Sequence, residues 1–423
     1  PHRSQGVRPH KLAHDDGVHG AVKLLEQGPN GDGEEKEQEL FPDNPFGQVQ
    51  VVLGRFHGDP SYQFGGVSLG GETQRGAAEA APFCVSPGEM RIRHAREPQS
   101  AAAVRLEIAA CERRLRMERE KTVDVIIPVY KPGPEWEKLL SMLQRQSRKP
   151  GRILVMNTGK EYWKPEWEEM AEHLEVRHLT PEEFDHGGTR DQAAGLSRAD
   201  YLLFMTQDAV PAGEFLIERL LEAVAQAPDV MAAYARQIPR PDCRLEERYT
   251  RQFNYPGTDC IKREADLPRL GIKTYFCSNV CAMYDRETYC ALGGFPKKTI
   301  FNEDMIFAAG LIRNGYGVAY AARARVVHSH NYTAIQQFHR NFDLAVSQAD
   351  HPEIFACVSS EGEGIRLVKK TAGFLLGQGK PWRIPGLVWN SGWKYLGYLL
   401  GKRYQKLPEG LVRWCTMNKR YWT

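Results

Sequence analysis

The sequence predicts an α/β fold, a mostly parallel sheet covered by helices on both faces. Three observations lead there. Val123-Asp-Val-Ile-Ile-Pro-Val-Tyr130 is a short apolar, β-branched run of the kind buried on both sides of a sheet. Behind it, apolar runs of strand length alternate with stretches of helical periodicity to about residue 226. The chain has 423 residues, 42% hydrophobic and 26% charged. It can therefore bury a large core, which excludes a disordered, collagen-like or disulfide-dense chain.

The elements follow in order. Pro134 to Gln146 reads as a helix, with Pro near its first turn and Trp136, Leu139, Leu140 and Leu143 on one stripe. Arg152 to Met156 is a second strand and Trp163 to His173 a second helix. Glu175 to His178 forms a third strand, and His186 to Ser197 a third helix begun by Gly187-Gly188. Tyr201 to Met205 is a fourth strand, followed by a helix from Gly213 to Gln226. Later, the turn Gly293-Gly-Phe-Pro296 precedes Glu303-Asp304 and the helical pattern Met305, Ile306, Ala309, Ile312. Val326 to His330 alternates like a strand, with His328 and His330 on one face. Gln336 and Arg340 stand four apart on one helix face.

The flanks differ from this middle. Residues 1–91 contain no Ile and no Trp, and residues 1–116 offer little apolar surface to offset the entropy of ordering them. They are expected to be a disordered or non-native extension, with Met117 as the natural start, broken only by an amphipathic helix near 101–121. At the other end, Ile365–Thr423 holds twelve Lys and Arg against the single acid Glu409. That net +11 leaves −8 for residues 1–364 of a chain whose total is +3. Five of the eight Trp lie in the same tail: Trp382, Trp389, Trp393, Trp414 and Trp422. Such a basic, aromatic stretch suits an anionic membrane surface, and equally a helical layer packing its Trp inward; nucleic acid is not expected as its partner. Nine scattered cysteines without a CxxC pair point to a reducing cytoplasm and away from a zinc site. No run of about 18 apolar residues exists, so no membrane-spanning helix is expected.

In parallel sheets ligands bind at the carboxyl ends of the strands, which directs attention to the loops after residues 130, 156 and 205. No G-x-G-x-x-G follows the first strand and no Walker lysine is present, which disfavours dinucleotide and P-loop enzymes. The fourth strand ends in Thr206-Gln-Asp-Ala209, where Asp208 is suited to hold a divalent cation against phosphate oxygens. Glu303-Asp304 sits where the helix dipole also favours acids. His328 and His330 are candidate cation ligands, and spacing does not choose between them.

In this order, Val-Ile-Ile-Pro-Val-Tyr, Thr-Gln-Asp-Ala and Gly-Gly-Phe with Glu-Asp resemble family 2 inverting glycosyltransferases of GT-A fold. Phe184-Asp-His-Gly-Gly-Thr-Arg190, Cys277-Ser-Asn-Val-Cys-Ala-Met283 and His328-Ser-His-Asn-Tyr-Thr333 are similar to the bacterial rhamnosyltransferase branch, which builds cell-surface polysaccharides from dTDP-L-rhamnose. The resemblance covers about 122–350. It implies a GT-A domain over 117–350 and a basic helical extension over 351–423.

The resemblance also implies roles. Pro128, Val129 and Tyr130 line the nucleotide site. Asn157 stands where the family usually has a base-contacting Asp, and Thr206-Gln207-Asp208 replaces the usual Asp-x-Asp, with Asp208 left to hold Mg²⁺ or Mn²⁺. Arg190 and Arg340 belong to the donor side, Asp185 and His186 read the sugar, and Ser278 and Asn279 face the acceptor. Asp304 is the base that deprotonates the acceptor hydroxyl, with Glu303 beside it; the like charge raises the pair's proton affinity, which suits general-base work. The acceptor is a saccharide or a polyprenyl-diphosphate-linked oligosaccharide, which with the basic tail implies a cytoplasmic enzyme peripheral to the plasma membrane. A transferase for UDP-galactofuranose, UDP-GlcNAc or UDP-glucose, and a non-catalytic nucleotide-sugar-binding module, are the rival readings.

Overall fold

The computed structural model describes residues 120–356 and 361–422. The expectations for residues 1–116 and for a start at Met117 lie outside these, as does the helix near 101–121 except for its last two positions, which are not helical.

The strands are β1 (Val123–Tyr130), β2 (Arg152–Thr158), β3 (Leu174–Leu179), β4 (Tyr201–Met205), β5 (Val210–Pro211), β6 (Val230–Ile238), β7 (Cys260–Lys262), β8 (Cys281–Asp285) and β9 (Gly317–Val327). The helices that position the site are α1 (Glu135–Gln144), α2 (Gly188–Ala194), α3 (Leu216–Val224), α4 (Leu245–Asn254), α5 (Glu303–Arg313) and α6 (Ala334–Asp350), followed by α7 (Glu361–Gly377), α8 (Ile384–Gly401) and α9 (Glu409–Cys415). The sheet runs β3-β2-β1-β4-β8-β6-β9-β5, with β7 paired to β9.

Alternate residues of β1 feed two cores. Val125, Ile127 and Val129 pack with Trp136, Leu139, Leu140 and Leu143 of α1 and with Leu216, Ile217 and Leu220 of α3. Ile126 packs on the other face with Phe204, Ala193, Phe307 and Ile312. Burial on both faces explains why β1 reads as a continuous apolar run.

Pairing is parallel from β3 to β4, as the sequence predicts, and mixed beyond: β8 runs antiparallel to both β4 and β6, while β6 and β9 are parallel. This change of direction builds the site. Because β8 is antiparallel, its first residue Cys281 pairs with Met205, the last of β4, so residues 277–280 lie beside Thr206–Asp208. The Thr206 N–H donates to the Val280 carbonyl at 3.2 Å. Because β6 and β9 are parallel, Gln237 and Ile238 end level with Val326 and Val327.

Two expected elements differ. Instead of a helix over Trp163–His173 there are two short 3₁₀ turns, Lys160–Tyr162 and Pro165–Met170. Pro165 and the left-handed His173 (φ 57°) bracket a segment too short to propagate an α-helix, and Trp163 and Trp167 pack edge-on with Trp136 instead. The strand expected to reach His330 stops at Val327. The His328 N–H still donates to the Ile238 carbonyl, and the chain then bends away from the ladder.

At the C-terminal end, α8 lies against α6 at backbone distance. A Cβ on Gly397 would come within 2.2 Å of the Phe338 carbonyl oxygen, and one on Gly401 within 2.3 Å of that of Phe342. Trp393 and Trp422 pack on a cluster of Phe338, Phe342, Val346 and Val412. Trp382 and Trp389 instead remain 70% and 64% exposed, so only part of the tail's Trp content packs inward. Among the described residues no helix is long and apolar enough to cross a membrane.

Candidate active site

Two clusters of polar side chains meet at the carboxyl ends of β4, β6 and β9. The first is Asp208, His328 and His330, whose ligand atoms all lie within 4.8 Å of one another. Asp208 Oδ2 is 3.6 Å from His328 Nε2 and 3.3 Å from His330 Nε2, and the two imidazole nitrogens are 3.1 Å apart. Both His come together although they stand on a bend rather than a strand. Burial, reinforced by the nearby Arg251, holds the His328 pKa well below its ordinary value. Burial also lowers that of His330, against the pull of Asp208. Two neutral imidazoles and one carboxylate at such separations can hold a metal ion.

The second cluster is built at the start of α5. Gly293 and Gly294 (φ 83° and 71°) and the left-handed Asn302 (φ 63°) turn the chain so that Glu303 and Asp304 head the helix. Gly294 is obligatory for a second reason: a Cβ there would sit 2.0 Å from Asp191 Oδ1. Asp304 Oδ2 accepts the Asn279 N–H (3.0 Å) and Oδ1 accepts the Met305 N–H (2.8 Å). Those bonds favour the anion, yet burial and then the neighbouring Glu303 outweigh them and raise the Asp304 pKa to about 7. Glu303, 8% exposed, accepts from Asn279 Nδ2 (3.2 Å) and faces Arg190 Nη1 (3.4 Å). The Tyr284 hydroxyl donates to Asn279 Oδ1 at 3.0 Å and completes the fixing of that amide.

The string Phe184–Arg190 folds onto this second cluster. Arg190 is buried against Glu303 and donates to the His186 carbonyl at 2.7 Å. Burial lowers the His186 pKa, with Glu303 opposing. One Asp185 oxygen accepts the Gly188 N–H (2.6 Å) at the start of α2. Arg190 therefore pairs with Glu303 at the head of α5. Arg340, on α6, is exposed with its guanidinium 4.7 Å from the Phe301 ring centre, and its charge is felt at His186, His328 and His330 alike.

Pro128, Val129 and Tyr130 end β1 as anticipated. Gln207 ties that end to β4: its Oε1 accepts the Tyr130 N–H (2.7 Å) and its Nε2 donates to the Tyr130 carbonyl (3.0 Å). Asn157, fully buried at the end of β2, donates through Nδ2 to the Gly159 carbonyl and reaches His178 Nδ1, both at 3.0 Å. Its Oδ1 and the Thr206 hydroxyl are buried polar atoms with no hydrogen-bond partner among the described residues.

Gln237 joins the clusters. Its Oε1 lies 3.0 Å from His328 Nδ1, and its Nε2 donates to Ser278 Oγ at 3.0 Å, one residue before the Asn279 N–H that holds Asp304. Arg251 of α4 also donates to Gln237 Oε1. No motif in the sequence marks Gln237 or Arg251. One ends an apolar strand and the other sits in a charged helix, and only the sheet order brings them to His328.

The chain is similar to several known proteins. Residues 124–292 match the model of the family described as Glycosyl transferase family 2. The chain is 37% identical over 302 residues to the O-antigen chain rhamnosyltransferase RfbN of Salmonella typhimurium, covering 71% of this chain and 96% of that one. It is 38% identical over 303 residues to the O-antigen chain rhamnosyltransferase WbaN of Salmonella anatum, covering 70% and 95%. Among solved structures it is similar to the mannosyltransferase PcManGT from Pyrobaculum calidifontis in complex with GDP-Man and Mn²⁺, at 15% identity and a TM-score of 0.44 over 76% of this chain and 94% of that one. With identity of this level over nearly the whole length of both Salmonella relatives, the chain belongs to glycosyl transferase family 2.

Proposed function

We propose that this protein is an inverting rhamnosyltransferase that moves L-rhamnose from dTDP-L-rhamnose to a hydroxyl of a cell-surface polysaccharide or lipid-linked oligosaccharide precursor. The observation behind it is that Gln237 bridges the two clusters: it hydrogen-bonds His328, whose Nε2 lies 3.6 Å from Asp208, and Ser278, the neighbour of the Asn279 whose N–H holds Asp304. A trio able to hold a cation lies at one end and a carboxylate titrating near 7 at the other. An inverting transfer needs those two functions on opposite sides of the anomeric carbon. The relatives' name as O-antigen chain rhamnosyltransferases supports the choice of sugar and acceptor class.

In this reading Asp304 takes the acceptor's proton as that oxygen attacks the anomeric carbon and the bond to the diphosphate breaks. Glu303, held by Asn279 and Arg190, keeps the base's proton affinity high. Ser278 and Asn279 face the acceptor, while Tyr130, Asn157 and the exposed Arg340 contact the donor. A divalent cation at Asp208, His328 and His330 would offset the charge growing on the departing diphosphate. Two nitrogen ligands suit Mn²⁺ better than Mg²⁺, which prefers an all-oxygen shell. Residues 117–350 form the GT-A catalytic domain and 351–423 its extension.

That extension meets an anionic membrane surface, making the enzyme peripheral to the cytoplasmic face. On α8, Pro385, Val388, Trp389, Gly392, Tyr395 and Leu396 recur at helical spacing, all exposed and none charged. Lys380 lies before this stripe and the exposed Lys402, Arg403 and Lys406 after it, an arrangement that lets a helix lie in the headgroup layer.

A thermal-shift panel of dTDP, UDP, GDP and dTDP-L-rhamnose with Mn²⁺ tests the donor assignment, since a ligand of the folded state raises the melting temperature by mass action. The dTDP compounds should give the largest shift. If no nucleotide moves the transition, the transferase reading is wrong.

A further inference from the structure

We infer that Gln237 is a positioning residue that locks His328 in the Nδ1–H form and aims its bare Nε2 at Asp208 and His330. The inference rests on the proposed cation site and adds to it a residue that touches neither donor nor acceptor. Its basis is a hydrogen-bond count with one solution. Arg251 Nη1 bonds one terminal atom of the Gln237 amide, and a guanidinium has only donors, so that atom is the carbonyl oxygen. The opposite atom, Nε2, then faces Tyr255 Oη (2.5 Å) and Ser278 Oγ (3.0 Å), hydroxyls that can accept both its protons.

With the amide so oriented, His328 Nδ1 lies 3.0 Å from an acceptor and must carry the ring's proton. A neutral imidazole has one N–H, so Nε2 is left with its lone pair on the side of the ring where Asp208 Oδ2 and His330 Nε2 converge. The partner that fixes the far nitrogen of a ligating His commonly changes metal affinity by about 10–100-fold when removed. Here that partner is itself held, by Arg251, which in turn pairs with Glu247 at 2.8 Å. Gln237 is 2% exposed and sits level with Val326 in the parallel β6–β9 ladder, so its backbone position is set by the sheet.

The test uses the full chain and Mn²⁺ alone, followed by the disappearance of the free-ion EPR signal. Gln237→Leu removes the acceptor and should weaken Mn²⁺ binding about 10–100-fold. Gln237→Glu keeps an acceptor oxygen for Nδ1–H, and Tyr255 and Ser278 can turn their hydroxyls to donate; it should stay within a few-fold of the parent. Long-range ¹H–¹⁵N spectra of the imidazoles give a readout independent of any metal: His328 should show Nδ1 protonated in the parent and Gln237→Glu, and lose that preference in Gln237→Leu. Parent-like Mn²⁺ affinity in a folded Gln237→Leu variant overturns the inference, as does an Nε2–H form of His328 in the parent. A parent that binds no Mn²⁺ while His328 is held as Nδ1–H would sink the cation site but leave the positioning intact.

Discussion

Replacing Glu303 by Gln isolates the reason Asp304 can act as a base. The Glu303→Gln amide would keep an oxygen for Asn279 Nδ2 and for Arg190, so the geometry at the head of α5 is retained while one negative charge disappears. Burial raises the Asp304 pKa most and Glu303 second, with Arg190 pulling the other way. Losing the Glu303 charge leaves that of Arg190 less compensated, and both changes favour the Asp304 anion. Only that anion accepts a proton, so the parent's rate should rise with pH through about 7. At pH 6 a group titrating there is ionised in roughly one molecule in ten. If the substitution lowers the pKa by about one unit, the lower end of what a neighbouring charge does, that fraction becomes about one half. The rate at pH 6, relative to the plateau near pH 8.5, should then rise about fivefold whatever happens to the plateau. Initial rates of dTDP release from dTDP-L-rhamnose with acceptor, measured from pH 5 to 9, give the comparison. An acidic limb that stays in place or moves upward would refute the coupling, and Asp304→Asn retaining most of the parent's turnover would remove Asp304 as the base altogether.

Three further predictions concern other parts of the chain. Asp208→Ala should weaken Mn²⁺ and dTDP binding together, by titration calorimetry; donor affinity unchanged in the presence of Mn²⁺ would count against the trio. Gly397→Ala should push α8 off the Phe338 carbonyl and lower stability by about 1–3 kcal/mol in urea denaturation, because the obstacle is backbone that cannot rotate away. Trp389→Glu with Leu396→Glu should reduce co-sedimentation with phosphatidylglycerol-containing vesicles at least tenfold while leaving the melting temperature within a few degrees, as both side chains are exposed. Vesicle binding equal to the parent's would show that the stripe is not the contact.

Much of this is legible in the chain because it depends on short-range pattern. β1 stands out as an apolar run since both its faces are covered, and α1 by the spacing of the four residues that are indeed buried, Trp136, Leu139, Leu140 and Leu143. The motifs at 206–208, 303–304 and 328–330 are visible because polar residues break strongly periodic surroundings. The tail's charge and Trp content can be counted, but which Trp faces inward cannot: Trp389 and Trp393 are one turn apart, and only the placement of α6 covers one of them.

How those motifs meet is a matter of tertiary structure. Strand direction is not written in any one strand, so the antiparallel entry of β8 could not be foreseen, and with it the seating of Asn279 against both Glu303 and Asp304. The pKa of Asp304 depends on that seating, since burial is a property of the assembled core rather than of the Glu-Asp pair. Gln237 shows the same limit most clearly. It is 91 residues from His328 along the chain, and the parallel pairing of β6 with β9 makes them neighbours. The residue order supplies the available chemistry: carboxylates, imidazoles and a family pattern. Packing selects which of those groups share a proton, a charge or a cation, because such interactions fall off over a few ångströms and residue number carries no distance.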